Sequence, residues 1–460
     1  MIGLLPVTAI VAAILLTPKG RISLLAIALA LPLFVPNANE ALPLGSANLF
    51  PQDLMIGVAL GAWACGALLN RQDGASTAVP RSAVLGWPFA LLAGSIIVAT
   101  LRGHYSYGSS LLGQPLRLVL YAGIVVVLAG MTVERLYRFL LWLFYVGLSV
   151  TMVWAAYYIA TGTSQSASEN LSTGGSRVLA VSTSIYCAGA MFLALLSLQL
   201  EKRIPHRLLH MTMAAFGFAG VVLGFGRAVF LAVFLGGFIL LVTSRALRHS
   251  LGSLLPLAAP FIVLIAILLP RVAPDLITSF EHRVASPPVQ DANVQWRVKA
   301  NEAVLAQVRE SPYFGVGFGR QSEFYLDVEN SIGYLVPFRQ EIGQDPHNGY
   351  LFLLAGGGIV TLGSFLLVLA VYTIDWIRRF RRNDHGLERL LLAWAALTLF
   401  TALLNAGSGT SFESTSDVLL IWTLLVLPAV VPLRGQADRP ERLPRARMRP
   451  SSFSPTAREA

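Results

Sequence analysis

A histidine at the end of a long polar loop is the sharpest chemical signal in this sequence. His347 and Asn348 follow Asp345-Pro346, at the point where the loop gives way to an apolar run. An imidazole titrates near neutral pH and can accept the proton of a hydroxyl, so His347 is a candidate general base. The bland alternative is a packed histidine, with Asp345 or Asn348 serving only to cap the next helix.

Four arginines lie at predicted outer ends of apolar segments or in the polar loop between them. Arg227 opens an apolar segment, Arg297 stands beside Trp296 in the loop, and Arg117 and Arg177 lie at span ends. A guanidinium stays charged and binds a diphosphate through two parallel hydrogen bonds. At a membrane edge it is costly without an anionic partner, which favours an anionic ligand. The alternative is that these side chains reach lipid head groups.

A glycine-aromatic segment, Tyr313-Phe314-Gly315-Val316-Gly317-Phe318-Gly319, follows Ser311-Pro312. Its glycines permit positive φ and close backbone approach. The spacing is not that of a dinucleotide-binding loop, and no strand precedes it, so a nucleotide site is not predicted. A tight, packed turn is the structural interpretation.

Two carboxylates, Asp327 and Glu329, are spaced two residues apart and could hold a divalent cation. Because the loop around them, residues 271–346, contains ten acidic and seven basic residues, a chance pair of solvated charges is the simpler interpretation. A metal site at this pair is therefore the less favoured interpretation.

The composition indicates that these residues are positioned by membrane helices. Hydrophobic residues make up 55% of the 460 residues and charged residues only 13%, against about 25% in a soluble domain. The net charge of +10 comes from short basic clusters between apolar runs, as in membrane proteins, and does not indicate nucleic acid. The two cysteines, Cys65 and Cys187, both lie in apolar segments and form no CxxC pair.

The apolar runs predict an all-α polytopic membrane protein with 12–13 transmembrane helices and one large extracytoplasmic loop containing short helices. Residues 1–270 form the first part of the bundle, 271–346 the loop, 347–433 the last part, and 434–460 a disordered basic cytoplasmic tail. The N-terminal run is predicted to be a retained span. Basic clusters assign the cytoplasmic side. The candidate spans are 2–17, 22–36, 54–69, 84–101, 116–131, 137–160, 179–200, 208–223, 228–243, 251–270, 348–374, 391–404 and 418–433.

Within the loop, residues 291–310 are predicted to form an amphipathic helix that ends at Ser311-Pro312. Val294, Val298 and Leu305 are expected near its apolar face.

Several of these features, taken in order, resemble the O-antigen ligase and polymerase superfamily. They are Gly226-Arg227-Ala228 opening a span, Arg297 on a loop helix, the segment from Ser311 to Gly319, and His347-Asn348-Gly349-Tyr350-Leu351 running to Gly358 and Thr361. The resemblance covers roughly residues 180–430. One departure is Gly356-Gly357-Gly358, where members of the family often carry an acid before the glycine.

The resemblance implies a GT-C-like membrane glycosyltransferase in the bacterial cytoplasmic membrane, acting on its outer side without metal or cofactor. Its donor would be a glycan on undecaprenyl diphosphate. Its acceptor would be a hydroxyl of lipid A core, of a growing polysaccharide or of a protein. His347 would be the general base, and Arg227 and Arg297 would bind the diphosphate. Arg117, Arg177 and Asn348 are further candidate substrate ligands.

Two other functions are compatible with parts of the pattern. A transporter or flippase of lipid-linked glycans would need ionisable residues deep in several spans, and the apolar runs contain almost none at mid-span. A metal-dependent oligosaccharyltransferase would use Asp327 and Glu329.

Overall fold

The computed structural model describes part of the chain. The predicted spans 2–17, 22–36 and 251–270, most of 54–69, Arg177 and the tail 434–460 lie outside this part. The number of spans and the side of the N-terminus therefore stay predictions. The described residues are 42–44, 47–49, 52–53, 55–58, 60–61, 84–109, 114–128, 131–161, 163, 178–224, 226–245, 248–249, 292–329, 335–342, 347–383, 386–409, 412 and 414–431.

Long helices dominate the described residues, and their bounds lie within a few residues of the predicted spans at most ends. Residues Tyr121–Gly123 form a single 3-10 turn. The helices are α1 Trp87–Tyr107, α2 Gln114–Leu120, α3 Ile124–Leu128, α4 Val133–Thr161, α5 Val181–Ser197, α6 Ile204–Gly224, α7 Arg227–Thr243, α8 Ala292–Glu310, α9 Gly349–Arg382, α10 Leu387–Ala406 and α11 Thr415–Val430.

Four of these helices, α4, α6, α9 and α10, are long and apolar enough to cross a membrane. Helices α5, α7 and α11 are shorter apolar helices packed among them. The predicted fold class, an all-α polytopic membrane protein, is confirmed.

Small residues allow the bundle helices to approach closely. A Cβ built on Gly220 of α6 would lie 2.5 Å from Sγ of Cys187 on α5, so only glycine fits there. On the other side of α5, the indole of Trp394 donates a hydrogen bond of 2.8 Å to the carbonyl of Gly189. Helix α5 is therefore enclosed between α6 and α10.

Helix α9 is broken at Gly358, near the end of its first third. Gly358 has φ 68° and ψ −169°, a conformation that interrupts the helical run. A continuous helix would bond the amides of Ile359 and Val360 to the carbonyls of Ala355 and Gly356. In a membrane each unpaired backbone group costs several kcal/mol, so this break needs other partners.

Residues 311–319, here called the glycine turn, supply those partners. The amides of Val316 and Gly317 donate to the carbonyls of Ala355 and Gly356, each at 2.9 Å. The carbonyls of Pro312 and Tyr313 accept from the amides of Ile359 and Val360, at 2.9 and 3.2 Å. The two helical bonds named above would have paired four backbone groups. Each of these four groups instead makes a hydrogen bond to the turn.

The glycine turn also packs against α1. A Cβ on Gly103 would lie 1.8 Å from the carbonyl oxygen of Phe318, and the Phe318 amide donates to the carbonyl of Ala99 at 3.1 Å. Positive φ at Gly315, Gly317 and Gly319 allows the backbone this path. The interpretation as a tight packed turn is confirmed.

The polar loop contains a β-hairpin in addition to the predicted helix. Strands β3 (Ser322–Glu329) and β4 (Leu335–Ile342) pair antiparallel, with Ser322 opposite Ile342. A smaller hairpin, β1 (Leu42–Leu44) with β2 (Ala47–Leu49), precedes the bundle. Helix α8 packs between β3 and the start of α9.

The buried face of α8 differs from the predicted one. Val298 and Leu305 are 49% and 38% exposed, whereas Ala300 and Val304 are fully buried against Phe324 of β3 and Ala355 of α9. The expected apolar face was wrong because the hairpin and α9 bury the face that carries Trp296, Ala300 and Val304.

Candidate active site

His347 immediately precedes α9 in an unusual backbone conformation. Its φ is 56°, the one positive value among non-glycine residues in the described ranges. Such a conformation costs free energy and is often found at functional sites. The side chain of the next residue, Asn348, accepts a hydrogen bond of 3.2 Å from the amide of Leu351. Asn348 is thus the N-cap of α9, as one interpretation of the sequence predicted.

The ring of His347 contacts a residue of the loop helix. The centroids of the Trp296 and His347 rings are 5.0 Å apart, with their planes tilted by 48°. The ring of Phe324 on β3 also packs edge-on against Trp296, with centroids 5.7 Å apart. Trp296 is therefore held between the hairpin and His347, and it fixes α8 beside the start of α9.

Arg297 follows Trp296 directly on α8 and is half-buried. The side chain of Trp296 contacts His347, and Arg297 is the next residue on the same helix. These two sequence-predicted residues are 50 positions apart in the chain. Their proximity comes from the packing of α8 against α9.

Arg227 is the first residue of α7 and is exposed, with Gly226 at the N-cap. A series of contacts locates this end of α7 in the bundle. A side chain at Gly224, at the end of α6, would collide with Ser184 near the start of α5. Two residues further into α5, the hydroxyl of Tyr186 donates to the carbonyl of Ser416 at 2.8 Å.

The series continues from α11 to the site. Phe412, just before α11, packs against Gly349, where a Cβ would lie 2.5 Å from its ring, and edge-on against Tyr350. The starts of α5, α7, α9 and α11 therefore lie at one end of the bundle. Arg227 and His347 share this end.

Arg117 has a protein partner. It is 4% exposed, and its Nε donates to both carboxylate oxygens of Asp53, at 2.9 and 3.0 Å. The hydroxyl of Tyr121 donates to the same carboxylate at 2.5 Å. Because Asp53 balances the charge of Arg117, the contacts indicate that this arginine stabilises the bundle; its part in substrate binding stays a prediction.

A group of polar residues near this end was not singled out from the sequence. It contains the partly buried Asp53, the buried Tyr121 and Tyr186, and Asp417, which is 2% exposed in the first turn of α11. The available signal was an acid at the edge of an apolar run, since buried acids in membrane proteins usually have a role. Asp53 precedes one predicted span by a single residue, and Asp417 precedes another.

Arg102 and Tyr107 of α1 were also missed, because they lie near the predicted limits of a span. Nη1 of Arg102 donates to the carbonyl of Gly315 and to Oγ of Ser311, and the hydroxyl of Tyr107 donates to the carbonyl of Val316 at 3.2 Å. Both side chains hold the glycine turn, which in turn joins α8 to the break in α9.

Asp327 and Glu329, the candidate metal pair, are both residues of strand β3. Within the described ranges no group of three or more histidine, cysteine or acidic residues could hold a metal ion.

Comparison with known proteins gives one result for this region. Residues 212–366 match the family model described as O-antigen ligase. The match runs from within α6 to just beyond the break in α9, and it includes Arg227, Arg297, the glycine turn and His347. A search of curated proteins gives no significant match. The family match confirms the resemblance drawn from the ordered motifs.

Proposed function

We propose, on the premise of the O-antigen ligase match, that this membrane protein is a glycosyltransferase of the bacterial cytoplasmic membrane. It moves a glycan from undecaprenyl diphosphate to an acceptor hydroxyl on the outer side of the membrane. The observation that carries the proposal is the contact between Trp296 and His347, because it brings the helix of Arg297 against the candidate base. The match to residues 212–366 supplies the reaction class.

In the proposed reaction, a nitrogen of His347 accepts the proton of the acceptor hydroxyl. The oxygen attacks the anomeric carbon, and the bond from that carbon to the diphosphate oxygen breaks. Arg227 and Arg297 stabilise the negative charge that develops on the departing diphosphate. A single displacement of this kind inverts the anomeric centre.

The proposal uses no metal, because a diphosphate is already a good leaving group when cations neutralise its charge. Positive charge and a positioned base then supply the main catalytic terms. The side-chain oxygen of Asn348 accepts the capping bond, and in this proposal Asn348 stays a further candidate substrate ligand. Turnover that is unchanged by a chelator is expected.

The test of the base is transfer by purified protein in nanodiscs, with an undecaprenyl diphosphate-linked glycan as donor. We expect His347→Ala to lower kcat by about 10²–10⁴-fold, the usual contribution of general base catalysis. The matched control is His206→Ala, because His206 is half exposed near the start of α6, away from the site, and pairs with Glu201. Undiminished transfer by His347→Ala would remove the proposed base.

The acceptor is tested by deleting the gene and analysing the surface glycan. Long chains that remain on undecaprenyl diphosphate indicate a ligase, which is the proposed activity. Single repeat units transferred to the final carrier indicate a polymerase of the same reaction class. A glycoprotein that loses its glycan indicates a protein O-oligosaccharyltransferase.

A further inference from the structure

Arg102 is a charged residue on an otherwise apolar face of α1. It lies five residues before the end of the helix and is exposed. Val98 and Tyr105 share its face, at spacings of four and three residues, and are 62% and 85% exposed. The neighbouring Leu101 is 42% exposed. Because α1 packs against α9, a helix long and apolar enough to cross a membrane, we expect this exposed face to contact lipid.

The protein partners of Arg102 are all neutral. Its Nη1 donates to a carbonyl and to a hydroxyl of the glycine turn. Among the described residues no carboxylate lies within ion-pair distance of it. These two bonds use Nη1 alone, and no carboxylate in the described part of the chain balances the guanidinium charge. A charge at a lipid-facing position is costly unless an anionic group balances it.

The glycine turn extends this surface along the first third of α9, a helix long and apolar enough to cross a membrane. The Tyr313 carbonyl accepts from the amide of Val360, which is 11 residues into α9 and so about 16 Å from its start. Tyr313 and Phe314 are 69% and 66% exposed, and Ile359 beside them is 57% exposed. Arg102 bonds the same turn. Its guanidinium is therefore bordered by aromatic and aliphatic side chains on both α1 and the turn.

We propose that Arg102 binds the phosphate of a lipid head group at this face, while the exposed apolar side chains around it contact the lipid's hydrocarbon chain. A guanidinium suits this ligand, because its planar donors match two phosphate oxygens and it stays charged. The protein contacts of Arg102 are to Ser311 and Gly315 and involve neither Arg297 nor His347. The ligand is a phosphate ester of a lipid, supplied either by the polyprenyl diphosphate donor or by a bulk phospholipid.

The test measures lipid binding to the full-length protein without any transfer reaction. Native mass spectrometry and equilibrium titration are carried out with a short-chain polyprenyl diphosphate and, separately, with phosphatidylglycerol. The variants are Arg102→Gln, which removes the charge, and Arg102→Lys, which keeps the charge but lacks the planar guanidinium donors. Ser311→Ala is the control, because it removes one bond to the turn and leaves the guanidinium. Each variant's melting temperature reports whether the turn is intact.

We expect Arg102→Gln to weaken binding of one of the two lipids by about tenfold or more, which is the loss of a charge-assisted hydrogen bond. Arg102→Lys is expected to be intermediate, and Ser311→Ala unchanged. Loss confined to the diphosphate assigns the site to the donor, and loss confined to phosphatidylglycerol assigns it to bulk lipid. Unchanged binding of both lipids by a stable Arg102→Gln variant overturns the proposal. His347→Ala is expected to bind both lipids as the wild type does. A failure of the proposed transfer reaction can therefore be distinguished from a failure of lipid binding at Arg102.

Discussion

The ring of Phe318 occupies the space that a side chain at Gly356 would need. A Cβ built on Gly356 lies 2.2 Å from two atoms of that ring, far inside contact distance. Phe318 is itself held by Phe352, with ring centroids 5.0 Å apart. Gly356 is where the sequence departs from the resemblance described above, and the Phe318 ring leaves no room for an acidic side chain there.

Gly356→Asp is therefore expected to displace the glycine turn and to destabilise the protein by about 3 kcal/mol or more, since overpacking alone costs about 1–3 kcal/mol and a carboxylate would also be buried. Thermal unfolding in detergent measures the effect. The control is Gly363→Ala on the same helix, where the added Cβ meets nothing within 4 Å. A fully stable Gly356→Asp protein would contradict the packing of Phe318.

Trp296 is expected to set the position of the His347 ring during transfer. Trp296→Ala removes the indole that packs against it, and we expect kcat to fall by about 10–100-fold, as small displacements of catalytic groups do. Trp296→Phe keeps a ring there and should lose less. KM for the donor is expected to stay close to wild type, which separates positioning from substrate binding. If kcat/KM fell by the same factor only because KM rose, with kcat unchanged, this positioning role would be refuted.

The ion pair between Arg117 and Asp53 is expected to support the bundle. The two side chains are 5% and 10% exposed, and removing one partner leaves a buried charge. Arg117→Met should therefore destabilise the protein by about 3–5 kcal/mol, measured as loss of the folded fraction on heating or in denaturant.

The control for this pair is Arg339→Met in the hairpin. Arg339 pairs with Glu323 and Glu341, but its side chain is 53% exposed, so the expected loss is about 1 kcal/mol or less. If Arg117→Met folded normally and raised KM for the donor, Arg117 would instead be a substrate ligand.

The orientation of the bundle is open to a labelling test in a background where Cys65 is replaced by alanine. The other cysteine, Cys187, is fully buried. We expect Val298→Cys on α8 to react with a membrane-impermeant maleimide in intact cells. Lys202→Cys, in the segment before α6, should react only after the cells are opened. The reverse pattern would place the candidate site in the cytoplasm and exclude the proposed donor side.

The sequence predicted most of the helices that position the site, because long apolar runs are a strong local signal. It also predicted α8 to within one residue at its start, as 291–310 against Ala292–Glu310. The hairpin from Ser322 to Ile342 was missed, although its first strand alternates polar and apolar residues. Two short strands are a weak signal beside a bundle of apolar helices.

Other features could not be read from local pattern. The break at Gly358 appears in the sequence only as a run of three glycines within a longer apolar span. Its backbone partners come from residues 312–317, which are distant in the chain. In the same way, the contact of Trp296 with His347 depends on how α8 packs against α9. Such pairings are decided by tertiary contacts, which periodicity does not record.

The exchange of hydrogen bonds at Gly358 has a consequence for how the protein is made. A ribosome delivers residues 312–317 before α9, so the turn must wait for the helix that completes it. Before the turn docks, we expect α9 to be a continuous helix. Only the amides of α9 itself can then donate hydrogen bonds to the carbonyls of Ala355 and Gly356. Since the bonds around Gly358 come from the turn, we expect the first third of α9 to acquire its bent shape only when residues 312–317 dock against it.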